Sequence, residues 1–472
     1  MSVTKPFGDL PQVSRTQNQL SKDQAAAQAQ SAALAGIGPQ SLSSGEIVDA
    51  LLGRRDADRP GVLDIELDED ADGRTLVVPG EVIIRRPAAA GPNTDNAWKT
   101  ETRQALASLG YVPDGGGVDG LFDTYTLAGS ASSDRRAHLA SNAVAAALAK
   151  FSAVGDLVRI PALQAGGSQV VVKAPGGPSP TEVILPQFVT NPSSASPVVV
   201  AIIDTGITAD VRSADDMLDE VDRRPTRLDP LDVFGSKNPP YSNGRLDFAA
   251  GHGTFAAGAV RLVDPHAEIR VYRALDSDGF GSELDIANSI VEAVNEGAHV
   301  VNLSLGTHTV PADAPLQAIE AVLDWIDTKP EATRPVVVAA AGNAGTTRQV
   351  WPAASPRVYA VAALTPEEVG CDWSSRGEWV NFSTIGRGIV SIFVEGKEDS
   401  AFGGTDSYGE SPWAMWSGTS FAAPQIAGAI ARAIRGGDGE PPRSPTAAVA
   451  WLETKGTPIP DFGVGMVLLA GT

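Results

Sequence analysis

Asp204 in AIIDTGI, His252 in GHGTF, Asn343 in AAGNAG and Ser420 in GTSFAAP bring together an acid, an imidazole, a primary amide and an alcohol. That is the set acyl transfer requires. A serine hydroxyl is a poor nucleophile until a base takes its proton as it attacks. A neutral imidazole does this near pH 7 and then protonates the leaving amine. A buried carboxylate fixes the tautomer of the imidazole and stabilises the imidazolium that forms. Charge developing on the carbonyl oxygen needs donors aimed at it, and the backbone amide of Ser420 and the side-chain amide of Asn343 are candidates. Singly, each residue has an ordinary reading. Asp-Thr-Gly is usually a turn, Asn343 beside a glycine another, and Ser420 a helix cap. His252 is one of five histidines, with His138, His266, His299 and His308. Their order along the chain and their places in the fold have to decide.

The elements that would position them follow from the hydrophobic pattern. PVVVAII is a continuous β-branched run, as expected of a strand buried on both faces, and it ends in Asp204. IRVYRAL, HVVNLSL, PVVVAAA and RVYAVAAL follow at intervals. Between them lie helical patterns such as LDIANSIVEAVNEG, with Ile286, Ile290 and Val294 on one face and Gly297 as its stop, and DAPLQAIEAVLDWIDT. Alternation of this kind predicts an α/β unit, a parallel β-sheet flanked by helices, with ligand sites beyond the carboxyl ends of the strands. His252 lies where a glycine-flanked loop becomes a helix, and Asn343 ends the strand VVVAAA. Ser420 opens the last major helix. Pro424 fits there, because amides in the first turn lack intrahelical partners.

AIIDTGI, GHGT, NLSLG, AAGN and GTSFAAP, in that order, resemble the signature blocks of the subtilisin-like serine proteases, from about Pro197 to the C-terminus. The resemblance implies that fold and a serine endopeptidase working through an acyl-enzyme on Ser420. Asp204 would be the orienting acid, His252 the base and Asn343 the oxyanion donor. It further implies that Ser304, Leu305 and Gly306 pair with substrate backbone beside the specificity pocket, and that Phe280, Gly281 and Ser282 form the opposite wall of the cleft. Phe255 stands where the family usually has a second histidine, and Phe421 where it commonly has methionine, which leaves the mechanism alone and alters specificity. The alternative function is a catalytically silent fold of the same kind, used for peptide binding or assembly. Calcium is common in that family, but no loop here shows its ligand spacing, so no cofactor and no metal site is assigned.

The chain has 472 residues, enough for one large core and a smaller one, and its formal net charge of −21 argues against nucleic acid as a partner. Cys371 is the single cysteine, so no internal disulfide forms, and no histidine pairs with it by motif. The N-terminus shows no apolar signal region and no run is long enough to span a bilayer, from which a cytoplasmic location without membrane contact is expected. Four units are predicted: a polar, partly helical segment over 1–60, a small α+β domain over 61–165, a Pro/Gly/Ser-rich linker over 166–197, and the catalytic domain over 198–472. In the first, Ser21 with Gln24 and Ser43 with Glu46 are possible capping boxes, and no chemistry is assigned. In the second, strands are expected at Leu63–Leu67, Thr75–Val78 and Gly80–Pro87. A helix over Trp98–Tyr111, a strand over Gly120–Gly129, a helix over Ala137–Phe151 and a strand over Asp156–Leu163 follow. The acidic group Asp68, Glu69, Asp70 and Asp72 reads as a solvated turn. Element order and the phrase VPGEVIIRR make this domain similar to the propeptide of many subtilisin-like proteases, which implies an intramolecular inhibitor and chaperone. A permanent regulatory or partner-docking domain is the rival reading.

Overall fold

A computed structural model of the chain describes residues 3–7, 17–34, 50–55, 66–70, 73–78, 81–85, 100, 103–108, 110–118, 121–128, 170–172, 181–183, 197–210, 216–236, 240–309, 315–399, 407–409, 412–436, 441–469 and 471. The helix expected over Ala137–Phe151, the strand expected over Asp156–Leu163 and most of the helix expected after Ser43 lie outside them. Helix α1 (Gln17–Leu34) starts before Ser21, so Ser21 and Gln24 are interior residues and not a cap. Strands β1 (Glu66–Asp70) and β2 (Gly73–Val77) form an antiparallel hairpin. The acidic run read as a turn is therefore strand through Asp70, in register with Gly73. Strands β3 (Glu81–Arg85), β4 (Tyr111–Pro113) and β5 (Phe122–Leu127) make a small antiparallel sheet ordered β3-β5-β4. Two three-residue strands follow, β6 (Val170–Val172) and β7 (Thr181–Val183).

The rest of the chain builds around β8 (Val199–Asp204). After it come α2 (His252–Val263), β9 (Glu268–Arg273), β10 (Phe280–Ser282), α3 (Glu283–Asn295), β11 (Val300–Leu303), α4 (Gln317–Asp327), β12 (Val336–Ala340) and β13 (Val358–Leu364). Then follow β14 (Phe382–Ile385), β15 (Ile389–Ile392), the short pair β16 (Gly396–Lys397) and β17 (Ser407–Tyr408), and β18 (Trp413–Trp416). Helices α5 (Thr419–Arg435) and α6 (Pro445–Lys455) and strands β19 (Thr457–Ile459) and β20 (Gly463–Gly465) complete the fold. An eight-stranded sheet runs β19-β20-β14-β13-β12-β11-β8-β9, parallel throughout except for the β19–β20 pair. Side chains alternate across it. Val200 and Ile202 join Phe255 and Val260 of α2 and Ile426 and Ile430 of α5 on one face. Ala201 and Ile203 join Ile286 and Ile290 of α3 and Val322 and Ile326 of α4 on the other. Burial on both faces is why these strands read as unbroken apolar runs.

From β8 the chain passes through α2 to β9 on one side, then through α3 to β11 on the other side of β8. The strand order thus reverses at β8, whose carboxyl end carries Asp204. Connections leaving such a point diverge and open a crevice.

The N-terminal half is fastened to this framework at several places. Ile83 of β3 and Phe122 of β5 are buried in the same apolar cluster as α3 and α4. Strand β6 pairs antiparallel with β10, and β7 with β18. The short helix over 50–53 delivers Arg54 and Arg55 into a group of aspartates. Arg54 forks onto Asp278, with Nε 2.9 Å from Oδ2, and lies 3.6 Å from Asp247 and 3.5 Å from Asp399. Arg55 reaches Asp276 at 2.5 Å and lies over the rings of Phe234 and Phe280. Asp247 and Asp278 are almost wholly buried, so their charges depend on a close cation. Replacing Arg54 by methionine should therefore lower unfolding stability by about 3 kcal/mol, because removing one partner strands buried charge. Urea melts of the two proteins at pH 7 check this; equal midpoints would show that Arg54 holds nothing.

Candidate active site

Asp204 closes β8 and is fully buried. Its two carboxylate oxygens lie 2.8 and 2.9 Å from Nδ1 of His252, and Oδ1 also accepts the Thr205 amide at 2.7 Å. A carboxylate can only accept here, so Nδ1 carries the hydrogen and Nε2 presents its lone pair. His252 is the first residue of α2. The preceding Gly251 is left-handed at φ 78°, a conformation glycine adopts without strain. A Cβ at Gly253 would fall 2.3 Å from the carbonyl oxygen of Gly206, so glycine is what lets the helix start against the end of β8.

The imidazole stands in an aromatic wall. Its centroid is 5.1 Å from that of Phe421 and 5.5 Å from that of Trp416, the latter edge-on. Phe255 packs on Phe421 at 4.5 Å and on Trp416 at 5.6 Å. Phe255 and Phe421, the two departures expected to alter specificity, therefore pack together and hold the ring dry. In a dry setting the attraction between Asp204 and a protonated His252 is stronger than in water.

Ser420 is the second residue of α5, among the amides that have no acceptor within the helix. Pro424 has no N–H to give to the Ser420 carbonyl one turn earlier. Ser304 supplies the missing donor: its Oγ gives a hydrogen bond to that carbonyl at 2.7 Å and accepts one from Asn302 Nδ2 at 2.9 Å. Ser420 Oγ donates to the carbonyl of Ser304 at 3.3 Å. His252 Nε2 is buried without a hydrogen-bond partner among the described residues. In this conformation Ser420 thus faces the end of β11, and its hydroxyl is not bonded to His252 Nε2.

Asn343 lies three residues beyond β12. Its Oδ1 accepts from the Thr419 amide at 2.9 Å and from the Thr419 hydroxyl at 2.8 Å. An amide N–H is always a donor, so this pair fixes which end is oxygen and leaves Nδ2 as the donor, close to Gly418. Of the residues expected to line the cleft, Ser304 and Leu305 follow β11 and are buried, and Gly306 is half-buried. Phe280, Gly281 and Ser282 form β10. Ser282 also caps α3, its Oγ accepting the Asp285 amide at 3.0 Å.

Asp229, to which the sequence reading gave no role, ties the two halves of the acid–imidazole pair together. Its Oδ2 accepts from Thr205 Oγ1 at 2.8 Å and from the Gly251 amide at 2.9 Å, and its Oδ1 from the Leu231 amide at 3.1 Å. It therefore pins the residue after Asp204 to the residue before His252. Burial pushes its carboxyl up to about 7. Nothing in RLDPLD marks the middle of three polar positions for this; the signal exists only in three dimensions. Cys371 is buried and its thiol is pushed up by desolvation, the opposite of what a nucleophile needs. Among the described residues no group of three or more His, Cys, Asp or Glu could hold a metal ion, and no helix is long and apolar enough to cross a membrane.

The family model described as "Subtilase family" matches residues 195–465. A thermophilic serine proteinase of Bacillus sp. (strain AK1) is 30% identical over 233 residues, covering 49% of this chain and 51% of that protein. Thermitase of Thermoactinomyces vulgaris is 34% identical over 188 residues, 38% of this chain and 59% of its own. These curated relatives are thus matched over little more than half their length. Among solved structures, a lanthipeptide protease overlaps 58% of this chain and 85% of its own, with 23% identity and a TM-score of 0.41.

Two outcomes follow from the local chemistry. Ser304→Ala leaves the Ser420 carbonyl without its hydroxyl donor and should cost about 1–3 kcal/mol of stability. Adding Pro424→Ala returns a helix N–H to that carbonyl, so the double variant should recover part of the loss; strictly additive losses in the cycle would refute the pairing. Asp229 has a folded value above its unfolded one, so it favours the fold when protonated, below about pH 4, and that contribution is lost as the pH rises to about 7. Asp229→Asn removes this dependence. The variant's stability relative to the native chain should therefore rise across that window by about 2–4 kcal/mol, read from denaturant melts at both ends.

Proposed function

The chain belongs to the subtilase family, and from that membership we propose that it is a serine endopeptidase cleaving peptide bonds through an acyl-enzyme on Ser420. The observation that carries the proposal is the double contact of Asp204 with Nδ1 of His252, which leaves Nε2 as a buried basic atom without a hydrogen-bond partner among the described residues. The reaction would begin with the Ser420 hydroxyl leaving the Ser304 carbonyl for the imidazole. His252 takes the proton as Ser420 Oγ attacks the carbonyl carbon, and the oxyanion receives hydrogen bonds from Asn343 Nδ2 and the Ser420 amide. The imidazolium, balanced by Asp204, then protonates the departing amine, and water repeats the sequence on the ester.

The same reading extends to the first half of the chain. Ser420 is only 4% exposed, and β6 lies along β10, the strand that the family resemblance makes a wall of the cleft. An extended segment paired there stands where extended substrate backbone would. We take residues 170–172 to be an intramolecular occupant of the cleft, with the small sheet β3-β5-β4 docked on α3 and α4 as its anchor. This supports the inhibitor role over that of a free-standing partner-docking domain.

A fluorophosphonate probe tests the reaction. The purified chain should be labelled and Ser420→Ala should not, and mass spectrometry should show self-cleavage only in the former. In processed protein, Asn343→Ala should lower turnover by about two to three decades, as loss of the corresponding donor does in subtilisin itself. A processed chain that takes no label would instead be a silent, peptide-binding fold.

A further inference from the structure

We propose that Val350 closes the pocket beside Ser420, so that the residue donating the scissile carbonyl must be small: glycine, alanine or serine. The inference rests on the endopeptidase reading and adds a substrate class to it.

Ser420 is held between two strand ends. Ser304, after β11, bonds the Ser420 carbonyl at 2.7 Å, and Asn343, after β12, bonds the Thr419 amide at 2.9 Å. A carbonyl under attack by Ser420 Oγ, with its oxygen at Asn343 Nδ2, puts the neighbouring side chain between these two ends. Each end carries a glycine there, Gly306 and Gly342, so the walls of the slot are bare backbone. The space between them is filled by this chain's own residue. A Cβ on Gly306 would fall 2.6 Å from Val350 Cγ1, and one on Gly342 would fall 2.9 Å from Val350 Cγ2 and 3.5 Å from Cγ1. One isopropyl group therefore touches both walls.

Val350 is also fixed in place. Its neighbour Trp351 exchanges two backbone hydrogen bonds of 2.8 Å with Thr307, just beyond Gly306, and its own carbonyl accepts the Ala354 amide at 2.8 Å. The carbonyl of Gln349 is bonded by His308 Nδ1 at 3.0 Å. The side chain is 5% exposed and β-branched, with few alternative rotamers. On this proposal the slot admits no more than a methyl or hydroxymethyl group beside Val350. A leucine or phenylalanine would have to push Val350 and the strand ends apart, and packed interiors resist that.

The test uses the full chain and two variants, Val350→Gly and Val350→Ala, with peptides that differ only at the residue donating the carbonyl: alanine, leucine or phenylalanine. The native chain should favour alanine over phenylalanine in kcat/KM by tenfold or more. In Val350→Gly the phenylalanine-to-alanine ratio should rise at least thirtyfold, with Val350→Ala between the two. Fluorophosphonate labelling of Ser420 is measured alongside. Labelling with no size preference, or a ratio that Val350→Gly leaves unmoved, overturns the pocket alone. Absence of labelling in every protein overturns the hydrolase reading, and the pocket with it.

Discussion

The interaction on which the site depends is the grip of a buried carboxylate on one nitrogen of a buried imidazole. Asp204 and His252 both have no exposed side-chain surface, so neither can exchange its partner for water. Removing water from a charge is costly unless the charge is fully bonded, and Asp204 meets that demand with the imidazole on both oxygens and the Thr205 amide on one. Much of the nearby structure serves this contact. Asp229 and Thr205 lock the end of β8 to the start of α2, Gly253 lets the two approach, and the aromatic wall keeps the pair dry. Together these fix which nitrogen is basic before any substrate arrives.

The serine is placed by a different device. Pro424, the sixth residue of α5, has no N–H to give to the Ser420 carbonyl, and the hydroxyl of Ser304, just beyond β11, takes that carbonyl up. Ser420 is thus tied to the residue that follows β11, and Thr419 to Asn343, three residues beyond β12. Sheet and helix are coupled through backbone atoms of the catalytic segment itself. Both tethers leave from neighbouring parallel strands, β11 and β12, whose spacing is among the least variable lengths in a protein.

The parallel sheet was legible because strands buried on both faces are written as unbroken apolar runs; PVVVAII and PVVVAAA admit few other readings. Asp204, His252, Asn343 and Ser420 stood out because glycines and turn residues punctuate the sequence wherever the backbone must bend sharply beside a site. Asp229 did not stand out, since a loop aspartate gains its role only when burial and three donors converge on it. Val350 could not be read either: its importance comes from lying between two glycines far apart in sequence. The ion pairs of Arg54 and Arg55 were invisible for the same reason, as were the partners of β6 and β7. A strand of three residues has too short a pattern to announce its register.

These short strands bear on how the N-terminal half is held. Three residues on β10 and three on β18 provide few backbone hydrogen bonds, each contributing little net free energy once water is considered. Opening either pairing is therefore a local event, far less costly than unfolding. The contacts at Ile83, Phe122 and Arg54 are of another kind, since they bury apolar surface in the core of the α3–α4 face or neutralise buried carboxylates. The cleft-side strands can open while the anchors stay closed. On the occupancy proposed for residues 170–172, opening of the β6 pairing would vacate the cleft while the anchors hold, and the tether would return the segment at high effective concentration. Only cutting the chain between strand and anchor makes its departure final.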